Sequence, residues 1–475
     1  VKAILNVLSE DEVQRIHEAS LRILKETGVE IHSEKVRKLL AENGAQVNGT
    51  IVKIPSVLIQ EAINKAPKEI TLGARDPKCQ FTIPSKDFPF LGSSAFSPYV
   101  YDLETGERRS STSADLRDFA VLSDYLDTVD IFEPIVVPLD KPMALHEVYA
   151  LAISLKHIRK NVLVSVVSEK TAECMIKLAN AIVGSAEELR KRPIFSTINC
   201  TVAPLTFEEG SSDAMLVLAK AGIPIFPMTM VLSGTTGPTT MAGTLAMANA
   251  EELASLVIVE CASPGAPMIY NAEVTPANMR TGKINYRAPE FPLICAGLGQ
   301  MARFYKIPSS VSNISVEDMP SDVSSFGWNV CRAAMGHMVQ SDINTWLGSR
   351  DLTMSAALDQ FVLDAEACEH ARAYLREFKV NDDTLACDVI HEVGPGGHFL
   401  AQKHTAEHFK EEIWSRELSD PFILGPITEG SFAERAKAKV REVLSTHTVP
   451  PIEKSALKEM ERILRDAEKD MAGSS

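Results

Sequence analysis

Aromatic side chains are scarce: 3 Trp, 8 Tyr and 18 Phe make up 6% of 475 residues. Any site that grips a cation between rings must draw on few candidates. Paired cysteines are missing as well. The eight thiols, at positions 79, 174, 200, 261, 295, 331, 368 and 387, include no CxxC and no even framework, which argues for a reduced, cytoplasmic chain using Cys as a small hydrophobe. Basic clusters stop at Arg190-Lys191-Arg192. With 48 Lys+Arg against 63 Asp+Glu the formal charge is −15, so no nucleic-acid and no anionic-membrane partner is expected. Long apolar runs are absent too; residues 253–262 carry Ser and Glu and are too short to span a bilayer. No leader is read at the start, where an acidic cluster enters at Glu10 before any long apolar run.

What remains is an ordinary globular composition, 45% hydrophobic and 23% charged. Length alone suggests about three domains of ~150 residues, or one barrel of ~250 residues with additions. Residues 1–110 combine two helical stretches, the first opening on Ser9-Glu10-Asp11-Glu12, with short extended pieces. From Thr112 the rhythm changes. Strand patterns at 129–137, 161–167, 193–199, 223–230, 267–270, 307–312 and 343–347 alternate with helical ones. Such alternation means parallel strands with crossover helices. The expected fold is α/β: a TIM (β/α)8 barrel over 111–357, an N-terminal α+β cap over 1–110, and C-terminal helical additions over 358–475. Seven strands are assigned; the eighth is not placed. Strand-end loops are where barrel chemistry sits, which singles out Asn199-Cys200-Thr201, Thr229, Tyr270-Asn271, Asn313 and Trp346. Each reads either as a site residue or as a plain loop residue capping a helix.

Familiar catalytic patterns are missing. No G-x-G-x-x-G, Walker loop or G-x-S-x-G occurs. His404 and His408 stand four apart, but Thr405, Ala406 and Glu407 between them do not make HExxH, so no metal site is expected. Two loops stand out. Residues 234–240 (GTTGPTT) form a hydroxyl-rich strand-to-helix turn, which reads as an anion cradle or a plain N-cap. Gly394-Pro395-Gly396-Gly397-His398-Phe399 either caps a helix or contacts a ligand or partner.

Several longer stretches are distinctive in combination. They are Tyr101-Asp102-Leu103-Glu104-Thr105-Gly106-Glu107-Arg108-Arg109 with Thr112 and Asp115-Leu116, Ala203-Pro204-Leu205, and Gly243-Thr244-Leu245-Ala246 with Asn249-Ala250-Glu251. Met279-Arg280-Thr281-Gly282, Gln360-Phe361-Val362-Leu363-Asp364 and Glu392-Val393-Gly394-Pro395-Gly396-Gly397-His398-Phe399-Leu400 follow. In this order, over about residues 10 to 446, they resemble the trimethylamine methyltransferase family. The resemblance implies a TIM barrel that moves a methyl group from a methylated amine to the cobalt of a separate corrinoid protein. Because this chain carries only standard residues, it looks like the branch without pyrrolysine, whose known members take quaternary amines such as glycine betaine, proline betaine and carnitine. No cobalamin-binding D-x-H-x-x-G is present, so no cofactor is expected to be bound stably and the corrinoid arrives on its partner. A homo-oligomer is also expected.

A quaternary ammonium leaves as a neutral amine, so its methyl transfer needs positioning and desolvation rather than a general acid. The resemblance, with the few rings available, points to Trp346, Tyr270 and Tyr99 as an aromatic cradle and to Arg350 as clamp for a betaine carboxylate. Asn199 and Glu251 are further substrate-binding candidates; Gly396, Gly397 and His398 are candidates for contact with the corrinoid protein. Trp346 replaces a small residue usual in the family, while at 322–328 Asp322 is retained and Ser324 and Phe326 replace a Gln and a Tyr. Two other functions remain open: a non-catalytic quaternary-amine-binding subunit, and a barrel lyase or hydrolase that uses carboxylates for acid–base work.

Overall fold

The computed structural model describes residues 3–94, 96–311, 323–413, 424 and 431–472. Eight strands position the site: β1 (Phe90–Ser93), β2 (Ile131–Phe132), β3 (Asn161–Ser165), β4 (Phe195–Cys200), β5 (Ile225–Met228), β6 (Tyr270–Asn271), β7 (Ser309–Ser310) and β8 (Ile343–Leu347). A helix follows each: α1 (Ser113–Tyr125), α2 (His146–His157), α3 (Glu169–Val183), α4 (Glu209–Ala221), α5 (Met241–Ala262), α6 (Glu290–Tyr305), α7 (Val323–Met338) and α8 (Leu358–Leu375). Local chemistry sets many of these boundaries. Thr112 and Asp115 cap each other's backbone at the start of α1, and Ser168 caps α3. Gly184 and Gly222 take the left-handed conformation that ends α3 and α4.

Six of the strands form one all-parallel sheet in the order β5-β4-β3-β2-β1-β8. Parallel contacts continue past β5. Ile225 bridges Met268, and the Ile269 N–H donates to the Ile225 carbonyl at 2.9 Å. β6 pairs with β7 in the register Tyr270↔Ser309 and Asn271↔Ser310. At the other edge the Asp342 N–H donates to the Ser309 carbonyl at 2.9 Å. The seven strands expected from the sequence are all present, and the six helices expected between them are α2 to α7. β1 is the strand the sequence left unplaced. It lies within residues 1–110 and pairs between β2 and β8, so the parallel sheet begins before position 111.

Two faces of the sheet are covered differently. Ile131, Leu163, Ile198, Phe226, Ile269 and Ile343 form a compact inner cluster, closed from below by Ile70, Leu72 and Ile83 of an antiparallel hairpin (Ile70–Leu72 with Phe81–Ile83). The outer face packs the helices through a much larger apolar core. Burial on both faces explains why strands such as Asn161–Ser165 are nearly continuous buried runs. On the loop side, Ser349–Arg350, Ser355–Ala356, Tyr99–Tyr101 and Arg108–Ser110 join in a small second sheet. The charged helix Lys454–Ala472 is amphipathic; Met460 is buried, and Glu468 accepts the Tyr149 hydroxyl of α2. No helix among the described residues is long and apolar enough to cross a membrane.

Candidate functional site

Strand alternation decides what lines the inner face. Two residues beyond the apolar inner cluster stand Glu133, Ser165, Cys200, Met228, Asn271 and Thr345, one from each of six strands or their first loop residues. Gly92 on β1 faces the same space: a Cβ there would lie 2.7 Å from Ile131 Cγ2 and 2.8 Å from Thr345 Cγ2. Its missing side chain lets those two side chains approach. The Ser93 hydroxyl, on the opposite face, donates to the Glu133 carbonyl at 2.6 Å and accepts the Glu133 N–H at 2.8 Å. The backbone that presents Glu133 is thereby held on both sides.

Above this layer Glu273 follows β6, and the Tyr286 hydroxyl donates to its Oε1. The Tyr286 carbonyl accepts from Arg332 of α7 at 3.1 Å. Glu133 and Glu273 form the electrostatic centre. Burial holds the Glu133 carboxyl well above the usual range; the nearby charge of Glu273 pushes the same way, against a hydrogen bond from Thr345. Burial also raises Glu273, against the Tyr286 hydrogen bond. Two neighbouring carboxyls in a buried setting oppose each other's ionisation. Cys200 keeps accessible surface although protein surrounds it, and burial with the two carboxylates pushes its thiol up to about 11. A thiol, two carboxyls, a phenol and a threonine hydroxyl thus gather past the strand ends. Such a cluster, once its carboxyls ionise, suits a small cation that brings no proton of its own.

Tyr286→Phe tests the pair's coupling. Removing the phenol removes the one hydrogen bond that lowers Glu273, so its carboxyl stays protonated to higher pH. The acid limb of a KM–pH profile for a cationic ligand is expected to move to higher pH, with little change in the plateau.

The residues singled out from the sequence mostly lie elsewhere. Trp346 is wholly buried in the outer core, at an irregularity in β8 between Thr345 and Leu347. The Tyr270 hydroxyl donates to Asn249 Oδ1 of α5 at 3.0 Å, and Asn199 Nδ2 donates to the Ser211 carbonyl of α4 at 3.3 Å. All three face the helices, which places them away from the carboxyl pair. Glu251 accepts the Thr201 hydroxyl at 2.7 Å and the Leu205 N–H at 2.8 Å, tying the loop after β4 to α5. Tyr99 and Arg350 come together in the loop-side sheet, but their cation–π partners are within the chain. The Arg108 guanidinium lies 3.8 Å from the Tyr99 ring, and that of Arg350 lies 4.2 Å from the Tyr101 ring. Gly396, Gly397 and His398 follow the short helix Cys387–Val393, in an exposed stretch. Asn313 and Asp322 lie outside the described residues, as does the side chain of Ser324. Glu133, Glu273, Tyr286 and Arg332 were not singled out. Glu133 alone left a signal, a carboxylate two residues past an apolar strand position inside the β-rich run 129–137.

Comparison with known proteins adds the family. The model of the trimethylamine methyltransferase family matches residues 2–472. Glycine betaine methyltransferase of Desulfitobacterium hafniense (strain Y51) is 29% identical over 454 residues, covering 94% of each chain. Trimethylamine methyltransferase of D. hafniense (strain DSM 10664 / DCB-2) is 28% identical, covering 97% of this chain and 93% of its own. Among solved structures, the monomethylamine methyltransferase of Methanosarcina barkeri superposes with a TM-score of 0.57 at 14% identity, over 98% of this chain and 88% of that one. That likeness concerns the fold. The nearly full-length match to the family model carries the assignment: the chain belongs to the trimethylamine methyltransferase family.

Proposed function

We propose that this protein transfers a methyl group from a quaternary amine, glycine betaine being the first candidate, to the Co(I) of a separate corrinoid protein. The eight parallel strands close into a (β/α)8 barrel in this proposal, with the carboxyl pair at its open, loop-bearing end. The observation that carries the reading is the enclosed Glu133–Glu273 pair in a chain of this family. A bound ammonium supplies the positive charge that lets both carboxyls ionise. The N–C electron pair then returns to nitrogen as the cobalt electron pair takes the methyl carbon. No proton is needed, and the protein's work is to hold the cation, aim one methyl at the mouth and keep water out.

A betaine also brings a carboxylate, which this pair would repel. Arg332, fixed against the Tyr286 carbonyl beside the pair, is better placed to meet it than Arg350 over Tyr101. Charge reversal at Arg350 is therefore expected to leave the preference for carboxylated donors intact.

Raised carboxyl pKa values are also what a barrel lyase or hydrolase would use, so the experiment must separate three outcomes. The full chain is incubated with glycine betaine, carnitine or trimethylamine, with and without an added Co(I) corrinoid protein, and demethylated amine and methylated cobalt are measured. Betaine-dependent methylation of cobalt supports the proposal. Turnover without corrinoid, or betaine binding without transfer to any added Co(I) corrinoid, overturns it in favour of acid–base chemistry or of a binding subunit. Activity confined to trimethylamine overturns the choice of donor.

A further inference from the structure

Asp364 is a carboxyl that the methyl transfer does not use. It lies on α8 with no exposed surface, and donors from three elements converge on it. Its Oδ2 accepts the Gly348 N–H just after β8 at 2.7 Å. Its Oδ1 accepts Asn329 Nδ2 of α7 and Gln360 Nε2 of its own helix, both at 2.7 Å. Gly348 makes the close approach possible: it takes a φ of +88°, and a Cβ there would lie 2.7 Å from Ile135 Cδ1 and 3.0 Å from Phe361 Cβ. The Arg332 charge faces Asp364 from α7, and the Cys368 thiol faces it from the next turn of α8.

Two of the three ties lead to the carboxyl pair. Gly348 is three residues past Thr345, whose hydroxyl donates a hydrogen bond to Glu133. Asn329 stands about one turn before Arg332, which donates to the Tyr286 carbonyl at 3.1 Å, and the Tyr286 hydroxyl donates to Glu273. Asn329 Oδ1 has no partner among the described residues, so the bond to Asp364 is what orients that side chain. One carboxylate thus sits behind the supports of both Glu133 and Glu273. Burial pushes Asp364 up to about 7 even against its three hydrogen bonds and the Arg332 charge. An apolar side chain would join these elements without that penalty. What the carboxylate adds is direction: its lone pairs take the donors along set lines, which fixes the rotation of α7 and the path of the chain after β8.

We propose that Asp364 is a positioning residue for amine binding: by holding Gly348 and Asn329 at once, it keeps Thr345 on Glu133 and Tyr286 on Glu273. This rests on the function proposed above, in which the carboxyl pair takes the cation. Asp364 itself touches neither substrate nor cobalt. Without its ties the two carboxyls lose the donors that favour their ionised forms, and the incoming cation has to displace a more tightly held proton. The mark of this role is a shift in the pH dependence of binding. A residue that only fastens helices together would lower the melting temperature and leave that pH dependence where it was.

Binding of glycine betaine to the full chain, measured by titration calorimetry across pH, tests this without corrinoid protein. In Asp364→Asn the remaining oxygen can still take Asn329 and Gln360, which leaves the new NH2 opposing the Gly348 N–H. The acid limb of binding is expected to move up by about one pH unit, a tenfold weaker affinity on the limb, and the difference from wild type should vanish above it. Cys200 stays protonated throughout this range. Asn329→Ala loosens the other arm and should move the same limb the same way. In a Glu133→Gln background, Asp364→Asn should produce no further shift, because the arm it breaks ends on Glu133. A limb that stays in place in either folded variant overturns the proposal, whatever happens to the melting temperature, as does a shift from Asp364→Asn that survives Glu133→Gln. If Asp364→Asn does not fold, Asn329→Ala decides alone. Failure of the functional reading looks different: Glu133→Gln by itself would then leave betaine affinity unchanged.

Discussion

Glu133→Gln is expected to weaken binding of a quaternary ammonium about a hundredfold while making the protein more resistant to heat. The first half follows from Coulomb's law. A cation about 5 Å from a carboxylate, at an effective dielectric near 20, gains about 3 kcal/mol, which is roughly two orders of magnitude in affinity. The second half follows from linkage. Glu133 is held above its unfolded pKa chiefly by burial, so folding is penalised once pH exceeds the unfolded value, and the penalty grows until the folded pKa is passed. A neutral amide of the same shape escapes it. In the wild type, binding should strengthen as pH rises and release a proton from the pair; in the variant that slope should flatten. Titration calorimetry in two buffers of different ionisation enthalpy reads the proton directly. An affinity that survives Glu133→Gln unchanged would remove the carboxyl pair from the site.

Trp346→Ala should cost about 3–5 kcal/mol of stability, the range for emptying a large aromatic side chain from a core. Its ring is among the largest wholly buried groups in the protein and packs on the helix side of β8. Trp346→Phe keeps most of that volume, so KM for the amine should be unchanged and the loss of stability modest. A Phe variant that folds normally yet has a raised KM would return the ring to the substrate. Urea unfolding and steady-state kinetics on the two variants settle the matter together.

The contrast between these two residues shows how far the sequence could be read. Apolar runs located seven parallel strands and the helices between them, because the strands are buried on both faces and most of the helices on one, α5 being buried all round. β1 escaped because Phe90-Leu91-Gly92-Ser93 contains a glycine and follows Pro84 and Pro89, in a stretch that reads as loop. Side-chain parity was the harder problem. Asn199, Tyr270 and Trp346 drew notice as large or polar groups at strand ends, yet each stands one position from the residue that faces inward: Cys200, Asn271 and Thr345. A slip of one residue exchanges the two faces of a strand, and only the inner apolar cluster fixes which face is which. Counting two residues on from Ile131 leads to Glu133. Arg332 and Tyr286 come from α7 and from the chain before α6, and no local pattern joins them to β2.

The hairpin that contributes Ile70, Leu72 and Ile83 to the inner cluster closes the strand-start end of the proposed barrel. Under the proposed function, donor and acceptor then share a single doorway, and that imposes a timetable. The amine has to be seated before the corrinoid protein arrives, and the demethylated product stays inside until it departs. Docking on an empty site is a dead end. Excess corrinoid protein should accordingly slow turnover, and added amine should relieve that inhibition.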